Sequence, residues 1–269
     1  MAKRPKAAGG GPSGDWNPAA YGRFHDLRLR PALDLLAQVG DLPEGKVVDL
    51  GCGAGAVGPA LSRRFLGRKI VGVDASPAML AEAAATGAYK RCDLADIRDW
   101  QPAKPAALIF SNAALQWLPD HPALLARLAG LLVPGGVLAV QVPRQWGAPS
   151  HRFLREFAAE MFPDRFDFTG WQPPVAEPAD YARLLAPLGC ATVWQTDYIQ
   201  RLDPTPDAHP VRRFTESTAL RPFAAQLTPT ELAAFLARYD AALDAAYPAE
   251  PDGSVLFPFR RVFFTLKVA

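Results

Sequence analysis

Val47-Val48-Asp49-Leu50-Gly51-Cys52-Gly53-Ala54-Gly55 decides how this chain is read: an apolar run, an acid, then three glycines at alternate positions. Branched apolar residues suit a buried strand, and glycine admits a close ligand approach that any side chain would block. Residues 56–65 follow at helical period, so the stretch reads as strand, glycine loop and helix, with the helix start offering free amide groups to a polar ligand edge. A plain tight turn between strand and helix is the competing reading.

Outward from that loop, residues 46–50, 69–73 (KIVGV), 107–111 and 137–142 read as strands. Residues 31–39, 56–65, 77–85 and 122–132 read as helices, with Pro31 suited to a first helical turn and Gly135-Gly136 turning the chain into the strand at 137–142. Alternating strands and helices imply a doubly wound α/β domain with a parallel sheet. Beyond Pro143 the pattern changes. Residues 151–162 form an aromatic-rich helix, 166–178 a loop rich in Pro and aromatic residues, 191–198 a strand, 228–247 a helix opened by Thr-Pro, and 262–267 a last strand. The expected organisation is a disordered tail at 1–14 and a single domain at 15–269 with a helical insert at about 202–257. Tyr247, at the end of the long helix, reads as core.

Two features of the loop leave the cofactor open. Gly53-Ala54-Gly55-Ala56-Val57-Gly58 also satisfies a dinucleotide fingerprint, so spacing alone admits a nicotinamide. Asp74, at the end of the second strand about 20 residues after the glycines, suits the ribose hydroxyls of either cofactor. Its alternative role, shared with Ser76, is to cap the helix that begins at Pro77.

The 269 residues are 49% hydrophobic and 21% charged with a net charge of +2, which fits a globular body and argues against an extended nucleic-acid surface. Cys52, Cys92 and Cys190 are far apart, and His25, His121, His151 and His209 share no ligand spacing, so neither a metal site nor a disulfide framework is expected. His121, beside Pro122, reads as helix-start chemistry. The start of the chain lacks the apolar core of a signal peptide, and no apolar run approaches the roughly 20 residues that span a bilayer. A cytoplasmic protein with no membrane association is expected.

Asp49 before the first glycine, Asp96 between the strands at 69–73 and 107–111, and Leu132-Val133-Pro134-Gly135-Gly136 before the last parallel strand together resemble the ordered motifs of class I S-adenosylmethionine-dependent methyltransferases. That resemblance implies a seven-stranded Rossmann-like sheet completed by a late antiparallel strand. It implies S-adenosyl-L-methionine as cofactor, held by Asp49, Gly51, Gly53, Gly55, Asp74, Ala75 and Met79. It further implies that Asp96 reads the adenine amino group, Ile97 packs on the ring and Asn112 lines the methionine portion. Asp93 is the alternative adenine partner.

A narrower set is similar to the trans-aconitate 2-methyltransferase family: Asp15-Trp16-Asn17-Pro18 with Tyr21, Ser76-Pro77-Ala78-Met79, residues 96–102, Leu115-Gln116-Trp117-Leu118-Pro119-Asp120-His121, Leu220-Arg221-Pro222 and Phe257-Pro258. Departures fall at Pro143-Arg144-Gln145-Trp146 and at 166–178. This resemblance implies esterification of one carboxylate of a small polycarboxylic acid, with Trp16, Tyr21 and Arg30 over the cofactor and Arg30 on its carboxylate. Gln116 and Trp117 are the expected substrate contacts, with Arg221, Arg144 and His151 as further candidates and Arg260 and Arg261 behind them. Guanidinium groups bind carboxylates bidentately. The expected partner is a small molecule, and the chain is read as a monomer.

Overall fold

The apolar runs of the sequence are buried on both faces, as the strands of a helix-covered parallel sheet must be. In the computed structural model, which describes residues 25–269 with side chains from residue 29, they form β1 (Val47–Leu50), β2 (Ile70–Asp74), β4 (Ala106–Asn112) and β5 (Leu132–Pro143), and the polar, partly exposed β3 (Arg91–Leu94) lies at the sheet edge. Each residue of β1 is buried, and β4 is buried from Ala106 to Ser111. Pairing is parallel throughout this half, with Val47 opposite both Ile70 and Leu108, Val71 opposite Arg91, and Leu108 opposite Val137. Two longer strands, β6 (Gly189–Leu202) and β7 (Val255–Val268), complete seven in the order β3-β2-β1-β4-β5-β7-β6, mostly parallel with one late antiparallel strand. The order reverses between β1 and β4, and ligands of open α/β sheets bind outside the carboxyl ends of the strands at such a switch.

The helices are α1 (His25–Ala37), α2 (Gly58–Arg64), α3 (Pro77–Ala85), α4 (His121–Ala129), α5 (Pro149–Met161), α6 (Pro178–Leu185), α7 (Pro210–Glu216), α8 (Arg221–Ala224) and α9 (Pro229–Ala246). Local chemistry sets several of their starts. Ser76 caps α3 by accepting from Met79 N at 3.2 Å, and Thr228 and Glu231 form a reciprocal capping box on α9. Three expectations are corrected. Pro31 lies inside α1 rather than in its first turn. α2 begins at Gly58, two residues later than the periodicity suggests. Gly135-Gly136 lies within β5, where a register shift opposite Ala106 and Leu108 absorbs it as a bulge rather than a turn before the strand.

The described chain divides into two compact units. The first runs up to Val142 and adds Pro174–Gln195 and Val262–Ala269; the second is Pro143–Pro173 with Thr196–Arg261. In the first, α6 buries Tyr181 and Leu185, and Tyr181 lies 5.2 Å from the Phe264 ring. His121 opens α4 as expected and is also buried, its ring within 2.5 Å of Tyr181 Oη and 2.9 Å of the Leu115 carbonyl. In the second, Phe162, Phe166, Phe223 and Phe235 form a continuous aromatic cluster with centroid separations of 5.6 to 6.4 Å. Tyr247 is core, as expected, and its hydroxyl also accepts from Ser150 N. No helix among the described residues is long and apolar enough to cross a membrane, and no cluster of three metal-ligating side chains occurs among them.

Candidate functional site

Gly51, Gly53 and Gly55 all take the left-handed backbone, with φ of +76°, +53° and +83°. The three positions do different work. A Cβ on Gly51 would stand 2.3 Å from Ala114 Cβ and 3.3 Å from Ile97 Cδ1, so the loop packs there against two neighbouring segments. A Cβ on Gly55 would fall 2.8 Å from Ala83 Cα. Gly53 meets nothing within 4 Å and is the open face of the loop. The amides of Gly51 and Cys52 both donate to Val73 O, fastening the loop to the end of β2. Because α2 starts only at Gly58, the loop's own backbone, not a helix end, presents this face.

Asp74 joins loop and strand. Its Oδ2 accepts from Gly53 N at 2.8 Å and its Oδ1 from Ser76 N at 2.9 Å, while Ser76 alone caps α3. Asp74 therefore does not serve as the helix cap. Each carboxylate oxygen has a further lone pair, and a ribose diol is a matching donor pair. Ala75 is exposed beside it, and Met79 is buried within α3.

Asp49 is buried on β1, where its Oδ2 accepts from Tyr89 Oη at 2.7 Å. Burial, aided by the Asp74 charge and opposed by the Tyr89 hydrogen bond, pushes its carboxyl up to about 7. Burial likewise raises the Cys52 thiol, with Asp49 and Asp74 adding to the effect, so this cysteine is an inert packing group.

The next wall comes from the loop after β3. Ile97 is buried, and Arg127 of α4 donates to the carbonyls of Ile97 and Trp100, fixing that loop. Asp96 accepts a forked pair of bonds from Arg98, which holds its carboxyl below the usual range, and Asp93 is paired with Arg91. Both adenine-reading candidates thus already carry an arginine partner.

The wall after β4 is strained. Ala113 has φ of +53°, a conformation that costs a non-glycine residue roughly 1–2 kcal/mol. Such strain gathers at functional sites. On either side of Ala113, Asn112 Oδ1 and Gln116 Oε1 are buried without a hydrogen-bond partner among the described residues, although Gln116 Nε2 donates to Ala113 O at 2.7 Å. Buried acceptors are matched in nearly all native proteins, so a donor that the described residues do not supply is expected at both. Trp117 follows Gln116 and is half-buried.

The glycine loop, Asp49, Asp74, Ile97, Asn112 and Gln116 all belong to the first unit. The set fits S-adenosylmethionine: an open glycine for close backbone approach, a carboxylate for a ribose diol, an apolar wall for a flat ring, and acidic and amide oxygens for an ammonium group. Trp16 and Tyr21 lie outside the described residues. Arg30 is exposed and pairs with Asp34 at 3.2 Å.

The remaining candidates belong to the second unit. Arg144 and Arg221 are half-buried. Arg260 is held by Asp197 through two bonds of 3.0 Å, so its charge is already matched, and Arg261 is buried with its guanidinium 4.7 Å from the Phe259 centroid. Gln145 ties this segment together, donating to Pro258 O at 2.7 Å and accepting from Arg260 N at 3.0 Å. His151 stands edge-on to Trp146 at 5.8 Å. The sequence does not single out Tyr89, Arg127 or Ala113, and Gln145 stands out only within the departure at 143–146. Only the unusual backbone of Ala113 marks it, and that has no sequence signal.

Comparisons with known proteins agree with this chemistry. A methyltransferase-domain family model matches residues 21–199. A trans-aconitate 2-methyltransferase of Methylobacterium radiotolerans is 43% identical over 263 residues, covering 95% of this chain and 99% of the relative. One of Escherichia coli is 41% identical over 257 residues, covering 94% and 98%. The crystal structure of the YcgJ protein of Bacillus subtilis superposes with a TM-score of 0.56 at 13% identity, covering 89% of this chain and 99% of that one. A phosphoethanolamine N-methyltransferase of Haemonchus contortus does so with a TM-score of 0.51 at 15% identity, covering 89% and 53%. These two likenesses concern the fold alone. With two relatives above 40% identity over nearly their whole length, a glycine cradle and a seven-stranded sheet, the chain belongs to the trans-aconitate 2-methyltransferase family of methyltransferases.

Proposed function

We propose that this chain esterifies a carboxylate of trans-aconitate, or of a closely related small polycarboxylic acid, with the methyl group of S-adenosyl-L-methionine. The observation that carries the reading is the cradle: Gly53 open to a ligand, Asp74 fixed against it, and two buried amide oxygens awaiting donors. The cofactor supplies an electrophilic methyl on a sulfonium.

A carboxylic acid with pKa near 4 is ionised at neutral pH, so its oxygen attacks without a general base. One S–C bond breaks, one O–C bond forms, and no proton is transferred. The chain's task is placement and exclusion of water. Asp49 and Asp74 hold the cofactor by its cationic and hydroxyl groups, while Ile97 and the Gly51 backbone confine its ring. Gln116, through the second hydrogen of its Nε2, and Trp117, after the strained Ala113, are assigned to the substrate beside the cofactor. Arg144 and Arg221 are assigned to the carboxylates that do not react, and His151 to a hydrogen bond with one of them. Arg260, which pairs with Asp197, and Arg261 are the further cationic candidates.

The test is incubation with S-adenosylmethionine and a panel of di- and tricarboxylates, with methyl esters read by mass spectrometry. A mono-ester formed preferentially from trans-aconitate is expected. Cofactor binding with no ester from any acid would sink the substrate assignment.

A further inference from the structure

Ser150 stands immediately before His151 in the first turn of α5, and three other side chains hold it still. Its amide donates to Tyr247 Oη at 3.2 Å, its carbonyl accepts from Tyr239 Oη at 2.6 Å, and its Oγ lies 3.0 Å from His151 Nδ1. Ser150 and Tyr239 are fully buried. A serine hydroxyl has one hydrogen to give, and among the described residues its only hydrogen-bond partner is His151 Nδ1. Were Nδ1 the donor, the buried hydroxyl hydrogen would be left unmatched, which proteins avoid. Ser150 therefore donates, Nδ1 accepts, and the imidazole hydrogen resides on Nε2.

His151 is also kept from gaining a second proton. Arg155 reaches back over the same turn, donating to the carbonyls of His151 at 3.1 Å and Trp146 at 2.7 Å, with its guanidinium 4.2 Å from the Trp171 centroid. The rings of Trp146 and Phe259 flank the imidazole on other sides, at 5.8 and 6.5 Å. Burial, reinforced by the Arg155 charge, lowers the imidazole to about 3. The start of a helix disfavours the imidazolium further. Nε2 has no hydrogen-bond partner among the described residues.

We propose that Ser150 is a positioning residue that locks His151 as a neutral Nε2–H donor for a carboxylate of the substrate. The proposal rests on the carboxylate-methylating reading above. A neutral Nε2–H fixes the direction from which a carboxylate that does not react is held, without adding a charge. A histidine that merely plugged the gap between Trp146 and Phe259 would have no need of a fixed tautomer.

The full chain labelled with 15N-histidine tests the lock without substrate, since long-range 1H–15N correlations distinguish the two tautomers. The His151 signals are assigned by their loss in His151→Gln. The Nε2–H pattern is expected in the native protein and a mixture in Ser150→Ala; an Nδ1–H pattern in the native protein would overturn the lock. With S-adenosylmethionine and trans-aconitate, Ser150→Ala is expected to raise KM for the acid about tenfold, the scale of one hydrogen bond to a charged group, with kcat and the cofactor KM within about twofold. Glutamine keeps an N–H near the Nε2 position and has no tautomer. In a His151→Gln background the same serine change should therefore move KM by less than about twofold. An equal rise in both backgrounds would show a merely structural role and refute the proposal. If the native protein forms no ester, the functional reading fails, while the tautomer measurement still confirms or refutes the lock.

Discussion

The glycine loop after β1 and the first turn of α5 solve the same problem by different means. The loop fixes its groups with backbone: three glycines in left-handed conformations, amides on Val73 O, and one carboxylate bridging Gly53 and Ser76. The α5 turn fixes its groups with side chains, Tyr239 and Tyr247 from distant sequence and Arg155 from the next turn of the same helix, acting on Ser150 and His151. A cofactor common to many enzymes suits the first device, which tolerates little change. A particular acid suits the second, which can be retuned one side chain at a time.

The largest effect should come from Gly51→Ala. The new Cβ would meet Ala114 Cβ at 2.3 Å in a left-handed backbone, so a loss of about 2–4 kcal/mol in stability is expected, together with loss of S-adenosylhomocysteine binding. Thermal melts and calorimetry check both, and unchanged binding would show that the loop is not the cradle. Next comes Asp74→Asn, which keeps the shape but removes the charge on two anchoring bonds. A loss of about 2 kcal/mol, on the order of 30-fold in S-adenosylhomocysteine affinity, is expected by titration.

The pH dependence of binding sharpens the contrast. Asp49 titrates at about 7 in the folded protein, above its unfolded value of 3.8. The folded state then binds more protons, so this group's contribution to stability is present at low pH and is lost as pH rises from about 4 through 7. A ligand bearing an ammonium reverses that trend by favouring the carboxylate. The rise in Tm caused by S-adenosylhomocysteine should therefore be larger at pH 8 than at pH 5.5; equal shifts would remove Asp49 from the binding account. His151, lowered to about 3, should contribute no step to the activity profile between pH 5 and 8.

Smaller effects are expected at Tyr239 in the second unit and at Arg30 in the first. Tyr239→Phe removes the bond to Ser150 O and should lower stability by about 1–2 kcal/mol, with S-adenosylhomocysteine affinity unchanged. A fall in cofactor affinity would blur the division of labour. Arg30→Ala is the mildest, because its pair with Asp34 is exposed. No change in Tm is expected, and a rise in cofactor KM would support its assignment to the methionine carboxylate.

Much of the fold was readable because its signals are local. Strands buried on both faces show as VVDL, IVGVD and AALIF, and Ser76-Pro77 and Thr228-Pro229 with Glu231 mark helix starts to the residue. α6 was hidden because residues 166–178 are rich in Pro and its buried face is only Tyr181 and Leu185. In the site, the glycines and Asp74 were legible from spacing. Tyr89 was not, because it reaches Asp49 across 40 residues, and Arg127 was not, because it reaches Ile97 O across 30. Those contacts depend on which way side chains leave neighbouring strands and helices, which no local pattern encodes.

The most direct test of the division between cofactor cradle and acid-selecting side chains is steady-state kinetics with S-adenosylmethionine and trans-aconitate varied in turn, with the ester read by mass spectrometry. Asp74→Asn should raise the cofactor KM on the order of 30-fold with the acid KM within about twofold, and Arg144→Gln should do the reverse, raising the acid KM about tenfold. Both substitutions shifting both constants together would contradict the account.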